Sequence, residues 1–413
     1  MMIETDLLSF VIVGHVDHGK STLIGRLLYD TDSLPPDKIE EVKKASEIQG
    51  KQTEFAYLLD HLEEERQQGI TIDTTQVFFK TPKRHYVIID APGHVEFVKN
   101  MITGASQAEA AVLIVDVAEG IKEQTRRHSY MLSLLGLEQV IVVMNKMDLV
   151  DFSQDHFDRI KHQMLEWLKT INIDVAICIP ISAIEGDNIA TKSGRMKWYS
   201  GPTFLESLDT LKNTQSPGDK SFLFPVQDVY KIEDKRINAG RVESGVINEG
   251  DAIKVMPSGL ATTVKSIEKF LEKPQQAIAS ECIGLTTADS LFLERGHVLC
   301  SPDAEPTLTD RINANIFWMS KKNVKKDQKL TIRCATQETS GKIEHIKKRI
   351  DSSTLEVITE DADTIENLNV AEVVIKTKKP LAITNFNEVQ ELGRFVLVQD
   401  ENICAGGIVT VLD

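Results

Sequence analysis

The sequence predicts an α/β domain, with a mostly parallel sheet and helices on both faces, followed by two small antiparallel β-barrels. Three observations carry that expectation. From Leu7 to Leu211, short β-branched runs alternate with longer amphipathic stretches, the rhythm of βαβ units. Residues 213–220 (NTQSPGDK) are polar and include Pro217 and Gly218, the composition of a linker. Beyond them the helical period fades, and strand-like pieces recur between turn signals.

The first domain spans 1–212. Its expected strands are Phe10–Val13, Tyr86–Asp90, Val112–Asp116, Val140–Met144 and Ala176–Ile181, mostly unbroken apolar runs that suit strands covered on both faces. A linker over 213–221 follows. A first barrel over 222–304 contains Phe222–Val229 and Ala252–Met256, with Pro257, Ser258 and Gly259 as a turn. The polar, Pro-bounded stretch from Ser301 to Pro306 divides it from a second barrel over 305–413, which contains Leu330–Cys334. No repeat is visible, so solenoids are excluded.

With 413 residues, 41% hydrophobic and 26% charged, the chain has the composition of a multidomain globular protein. Its 47 basic against 62 acidic residues give a net charge of −15, which offers no general attraction for phosphate backbones or anionic lipid. A nucleic-acid role would need a local basic patch. The five cysteines form no C-x-x-C pair, the usage expected in a reducing compartment. Glu4 and Asp6 stand where a secretion signal needs basic charge, and no apolar run approaches the ~18 residues of a membrane helix. A soluble cytoplasmic protein is expected.

Gly14-His-Val-Asp-His-Gly-Lys20-Ser21 fits G-x-x-x-x-G-K-[ST] between a strand and an amphipathic helix, the setting of a phosphate-binding P-loop. Glycines let backbone N–H groups close around phosphates, Lys20 reaches the outer phosphates, and the Ser21 hydroxyl ligates Mg²⁺. His15, Val16, Asp17, His18, Gly19 and Thr22 belong to the same nucleotide-binding set. Asp90-Ala-Pro-Gly93-His94 ends a later strand, where Asp90 can hold the Mg²⁺ shell and the Gly93 N–H can meet a γ-phosphate. Asn145-Lys146-Met147-Asp148 closes another strand. Asp148 can accept from guanine N1 and N2 hydrogens, an arrangement adenine does not present, while Asn145 and Lys146 brace the loop. Ser182-Ala183, with Ile184 beside them, follow the next strand and can offer a backbone N–H to guanine O6. All four elements fall at C-terminal strand ends, where open α/β sheets bind ligands.

On these motifs the whole chain resembles the translation-factor class of GTPases, the group of elongation factor Tu. The resemblance implies a GTPase domain followed by two β-barrels, with GTP or GDP and Mg²⁺ as cofactors. Glu65-Arg-Gln-Gln-Gly-Ile70-Thr71-Ile72 looks like that class's first switch, in which Thr71 closes on Mg²⁺ and the γ-phosphate only in the GTP state. The metal set is then Ser21 and Thr71, with Asp90 acting through water. His94 matches the class's catalytic histidine, which orients the attacking water. Val16 and Ile70 match the apolar pair that gates it, Asp17 a carboxylate used in cation binding, and Lys20 the lysine on the outer phosphates. His15 and His18 have metal-ligand spacing but lie inside the phosphate loop, so metal binding by them is not expected.

Within the class, several segments are similar to the large, GTP-hydrolysing subunit of bacterial sulfate adenylyltransferase: Gln124–Ser129, Asp148–Asp151, Glu185–Asn188, Trp198–Pro202, Phe224–Gln227, Lys254–Gly259 and Phe317–Met319. The implied partner is a small catalytic subunit that joins ATP and sulfate. Other features resemble elongation factors: His15 and His18 in the phosphate loop, the Trp198 segment and Gln227–Lys231. The alternative is therefore a carrier of aminoacyl-tRNA. Lys321-Lys322, Lys325-Lys326 and Lys347-Lys348-Arg349 are the candidate RNA patches, although solvated charged strands read better. Val398 and Asn402 stand where elongation factors commonly carry basic residues. The sequence stops at Asp413, so no fused kinase domain is expected, and neither membrane nor DNA is an expected partner.

Overall fold

A computed structural model describes residues 7–34, 75–91, 108–137, 139–212, 220–232, 235–269 and 272–411. Two compact units, Met1–Asn213 and Thr214–Asp413, make up the chain. Most of the expected linker lies outside the described residues.

The first unit runs β1 (Leu7–Gly14), α1 (Lys20–Asp30), β2 (Thr75–Lys80), β3 (His85–Asp90), β4 (Ala110–Asp116), α2 (Glu123–Leu134), β5 (Val140–Asn145), α3 (Gln154–Thr170), β6 (Val175–Pro180) and α4 (Phe204–Leu208). The sheet order is β2-β3-β1-β4-β5-β6. Its strands pair in parallel except β2, which runs antiparallel to β3. The sequence reading lacked β2 for a physical reason. As an edge strand it alternates partly solvated and exposed positions, with only Phe79 buried, so it never forms an apolar run. Phe79 is nonetheless anchored by stacking on Tyr86, ring centroids 4.8 Å apart.

Strand and helix patterns meet in the core. Leu8, Phe10 and Ile12 alternate along one face of β1 and pack with Leu23, Ile24 and Leu27, which share one stripe of α1. In α3 the buried positions Phe157, Ile160, Met164 and Leu168 recur at helical spacing, and the Ser153 hydroxyl caps the first turn by accepting from the His156 N–H. Thr203 and Glu206 form a reciprocal capping box on the short α4.

The second unit contains β7 (Leu223–Ile232), β8 (Lys235–Arg241), β9 (Val246–Asn248), β10 (Ala252–Met256), β11 (Leu260–Glu268), β12 (Gln276–Ile278), β13 (Cys282–Thr287) and β14 (Val298–Cys300). After them come β15 (Thr307–Trp318), β16 (Val324–Lys325), β17 (Lys329–Cys334), β18 (Gln337–Asp351), β19 (Val357–Glu360), β20 (Thr364–Ile365), β21 (Asn369–Ile383), α5 (Gln390–Gly393), β22 (Arg394–Gln399) and β23 (Asn402–Val411). The order β10-β11-β13-β8-β7-β14 closes one barrel. The sheet β17-β22-β23-β15-β21-β18-β19 is closed by the extra β17–β18 pairing, so the second set is a barrel too. Closure removes the unpaired edges that an open antiparallel sheet exposes.

Each barrel has its own core, and a third apolar cluster joins them: Leu223, Met256, Val298 and Cys300 from the first against Ala382, Val389 and Leu392 from the second. Near this seam burial, and then the Glu391 carboxylate, push Glu243 up to about 7, against the pull of Arg241 and Arg394. A carboxyl whose folded pKa is raised is stabilising while protonated. Its contribution is full below its ordinary value of 4.5 and is lost as pH climbs through about 7. Glu243→Gln should match the wild-type urea stability of this unit at about pH 5 and exceed it by roughly 1–3 kcal/mol at about pH 8.5. A stability difference that does not change with pH would refute the assignment.

Candidate nucleotide-binding site

Strand register brings four loops together at the C-terminal edge of the first sheet. Ile12 is opposite Asp90, Gly14 opposite Ile114, Asp116 opposite Asn145, and Met144 opposite Pro180. The loops after β1, β3, β5 and β6 therefore leave from neighbouring strand ends.

After β1 the backbone turns at Asp17 (φ 64°) and Gly19 (φ 91°), both left-handed. Right- and left-handed residues in succession converge their N–H groups into an anion-binding nest, with the α1 N-terminus behind it. Gly19 is required twice over, by its φ and because a Cβ there would lie 2.4 Å from the Asn145 amide nitrogen. Lys20 is buried, and its ammonium donates to the carbonyls of Gly14 (3.1 Å) and His15 (3.2 Å), arching over the loop. Burial lowers its pKa, while the Asp90 and Asp17 carboxylates hold it up.

The base end is tied to the phosphate end by one side chain. The Asn145 amide donates to the His18 carbonyl (2.8 Å) and accepts from the Ala183 N–H (3.0 Å). Lys146, at φ 64°, extends to Asp116 at 2.8 Å. Asp148, half-buried, accepts from the Ser182 hydroxyl through one carboxylate oxygen. Its second oxygen retains acceptor capacity for a base edge. The Ser182 N–H donates to the Asp187 carbonyl at 3.3 Å and the Ala183 N–H to Asn145. An N–H offered to guanine O6 from Ser182 or Ala183 is thus shared with, or released from, those acceptors. Val16 is half-buried in the phosphate loop, Thr22 follows Ser21 in the first turn of α1, and Ile184 is exposed.

Two residues of this frame were absent from the sequence reading. Asp116 accepts from the N–H groups of Ala118 (2.8 Å) and Glu119 (3.2 Å) besides Lys146. Burial works to raise its pKa, and Lys146 with these donors reverses the sign. The available signal was an acidic residue closing β4 at the level of Asn145. Arg26 reaches from α1 to the Ile184 carbonyl at 3.2 Å, and nothing in its local sequence announces that contact.

Behind the loop, His15 and His18 pack edge to face, centroids 5.2 Å apart. Burial pushes His18 down to about 4 and His128 to about 3, so both are neutral at neutral pH and add no charge beside Lys20. Within the Gln124–Ser129 segment, the Ser129 hydroxyl accepts from the Trp167 indole at 2.7 Å. The hard oxygen donors of Ser21, at the mouth of the nest, and of Asp90, buried and coupled electrostatically to Lys20, fit Mg²⁺. Ile70, Thr71, Gly93 and His94 lie outside the described residues.

A nest with a buried lysine, an acid closing the adjacent strand and an Asn–Lys–x–Asp loop braced onto the nest define a P-loop GTPase. Comparison with known proteins narrows the class. Residues 5–223 match the family described as "Elongation factor Tu GTP binding domain", 236–300 match "Elongation factor Tu domain 2", and 311–410 match "GTP-eEF1A C-terminal domain-like". Elongation factor 1-alpha of Methanopyrus kandleri is 39% identical, covering 98% of this chain and 97% of that protein. Sulfate adenylyltransferase subunit 1 is 37% identical from Teredinibacter turnerae, covering 95% of this chain and 84% of that protein. The same subunit from Tolumonas auensis is also 37% identical, with 98% and 87% covered. The chain belongs to the elongation factor Tu and elongation factor 1-alpha family of GTPases.

Two substitutions separate the roles at this site. Asp148→Asn should weaken GTP binding and admit xanthosine triphosphate, measured by nucleotide titration; unchanged GTP affinity would refute base recognition by Asp148. Asn145→Ala leaves the His18 carbonyl and the Ala183 N–H without their partner, at a cost of about 2–4 kcal/mol, so GDP affinity should fall roughly 30- to 1,000-fold. A loss below threefold would remove Asn145 from its bracing role.

Proposed function

We propose that this chain binds and hydrolyses GTP as the energy-coupling subunit of a sulfate-activating enzyme. A separate small catalytic subunit would convert ATP and sulfate into adenosine 5′-phosphosulfate and pyrophosphate. The product's mixed anhydride is less stable than the bond it replaces, so the reaction runs uphill. GTP hydrolysis would drive it through a conformational change that the partner senses.

In this reading Lys20 and the nest hold the β- and γ-phosphates, and Ser21, Thr71 and, through water, Asp90 would hold Mg²⁺, which neutralises developing phosphate charge when bound. His94 orients the attacking water, with Val16 and Ile70 as its gate. Asp17 adds a carboxylate beside the phosphates, and Asp148 selects guanine. The location proposed here is the cytoplasm, a reducing compartment that suits five free cysteines. Among the described residues, no helix is long and apolar enough to cross a membrane.

The observation that supports the choice of branch is that several cations of the second barrel are paired with acids, although Lys325 and Lys326 have no ion pair among the described residues. Lys322 lies 3.9 Å from Asp400, Lys348 3.8 Å from Glu372 and Arg349 2.8 Å from Glu366, while Lys347 donates to Asn313 at 2.9 Å. Arg311 with Glu344 and Arg333 with Glu338 add two more pairs. Such exposed pairs add little stability, but they cancel the field that would attract a polyanion. The second reading, an aminoacyl-tRNA carrier, is favoured by the fuller coverage of the elongation factor 1-alpha relative.

Reconstitution decides between them. With the small catalytic subunit, GTP should stimulate formation of adenosine 5′-phosphosulfate. In that assay His94→Ala should keep GTP affinity and lose about 10²-fold or more in hydrolysis and coupling together. Steeply salt-dependent binding of aminoacyl-tRNA in the GTP state, with no stimulated sulfate activation, would overturn the reading in favour of the carrier.

A further inference from the structure

The first barrel carries a pocket that the nucleotide chemistry does not use. It has a volume of about 430 Å³ and is formed by the β7–β8 hairpin, β11, the end of β13 and the loop that follows it. Its cations are placed against ordinary sheet economy. Lys231 of β7 is directly opposite Arg236 of β8, a like-charge pair that costs stability in an antiparallel ladder. Lys265 sits where β11 slips register between Val264 and Ser266 against β13, a bulge that re-aims a side chain. Neither Lys231 nor Lys265 has a carboxylate within ion-pair distance among the described residues. Lys235, by contrast, is paired with Glu268 at 2.8 Å. Glu233 and Asp234 lie outside the described residues.

One carboxylate, Asp289, also lines the pocket, and it accepts from the Thr262 hydroxyl at 2.8 Å. Asn238 is 2% exposed, and its amide nitrogen donates to the Leu285 carbonyl at 3.0 Å. Its side-chain oxygen is buried and has no hydrogen-bond partner among the described residues. At the rim Phe292 is 78% exposed, far more than a large apolar side chain on a settled surface, and Arg236 lies over its ring at 4.8 Å.

We propose that this pocket docks an acidic segment of a partner protein. Its carboxylates would meet Lys231, Arg236 and Lys265, and an apolar side chain would cover Phe292. Polypeptide fits better than RNA because three cations neutralise about three phosphates, at a salt slope of about −0.7 each for a single strand, while the chain as a whole carries −15. Lys231, Arg236 and Lys265 against the one carboxylate of Asp289 leave the pocket net positive, which suits a segment with two or three carboxylates. Assigning the segment to the small catalytic subunit rests on the sulfate-activation reading.

The test uses the full chain, wild type and R236E/K265E, with two probes and one partner. A fluorescein-labelled hexaglutamate peptide should bind the wild type and weaken roughly 30-fold or more in R236E/K265E, with GTP hydrolysis unchanged. The wild type should also form a complex with the small catalytic subunit in sedimentation velocity, and R236E/K265E should lose it. Peptide binding that the double variant retains would overturn the docking site. A complex that survives R236E/K265E would overturn the assignment to that subunit and leave sulfate activation standing. Absence of any complex with the wild type, while peptide binding remains pocket-dependent, would overturn the sulfate-activation reading and keep the acidic docking site. A labelled oligoadenylate that binds the pocket more tightly than hexaglutamate would overturn the proposal in favour of RNA.

Discussion

One carboxamide holds the site together. Asn145 contacts the phosphate loop through the His18 carbonyl and the base loop through the Ala183 N–H, so neither loop has its shape without the other. The surrounding frame repeats the logic at lower burial. Asp116 fixes Lys146 from the next strand, and Arg26 carries α1 to the Ile184 carbonyl. Preorganisation of this kind puts the ordering cost into folding rather than into ligand binding, so binding free energy remains available for recognition.

The electrostatics of the loop follow the same economy. Lys20 is buried, which lowers its pKa, and the carboxylates of Asp90 and Asp17 work against that shift. The nearby histidines are driven neutral by burial and so do not compete with it for phosphate. A loop that contains two histidines thus presents one cation and a ring of backbone donors, and the charge is concentrated where the outer phosphates would sit.

Much of this was legible in the sequence, and the exceptions have physical causes. Lys20, Asp90, Asn145 and Asp148 could be read because each belongs to a short run with a recognisable spacing, and the fold brings those runs to neighbouring strand ends. Asp116 and Arg26 could not, since their partners lie on other strands and loops and only register brings them close. β2 was missed because an edge strand wetted along one side has no apolar run to detect. The lysine clusters of the second barrel were visible as charge, whereas the acids that pair with Lys322, Lys348 and Arg349 come from separate strands and turns. The cationic pocket of the first barrel escaped for a related reason: Lys231, Arg236 and Lys265 are spread over three strands, and a bulge contributes to their convergence.

The closure of the second barrel also bears on how the protein is made. β15 ends at Trp318, yet its ladder is completed by β23, which begins at Asn402. Everything between must be synthesised before that pairing can form, and until then β15 lacks one neighbour while its apolar face waits uncovered. Such long-range pairing is slow and exposes sticky surface to other nascent chains. The demand on chaperones should therefore fall late in synthesis, after the nucleotide-binding unit has already had time to fold.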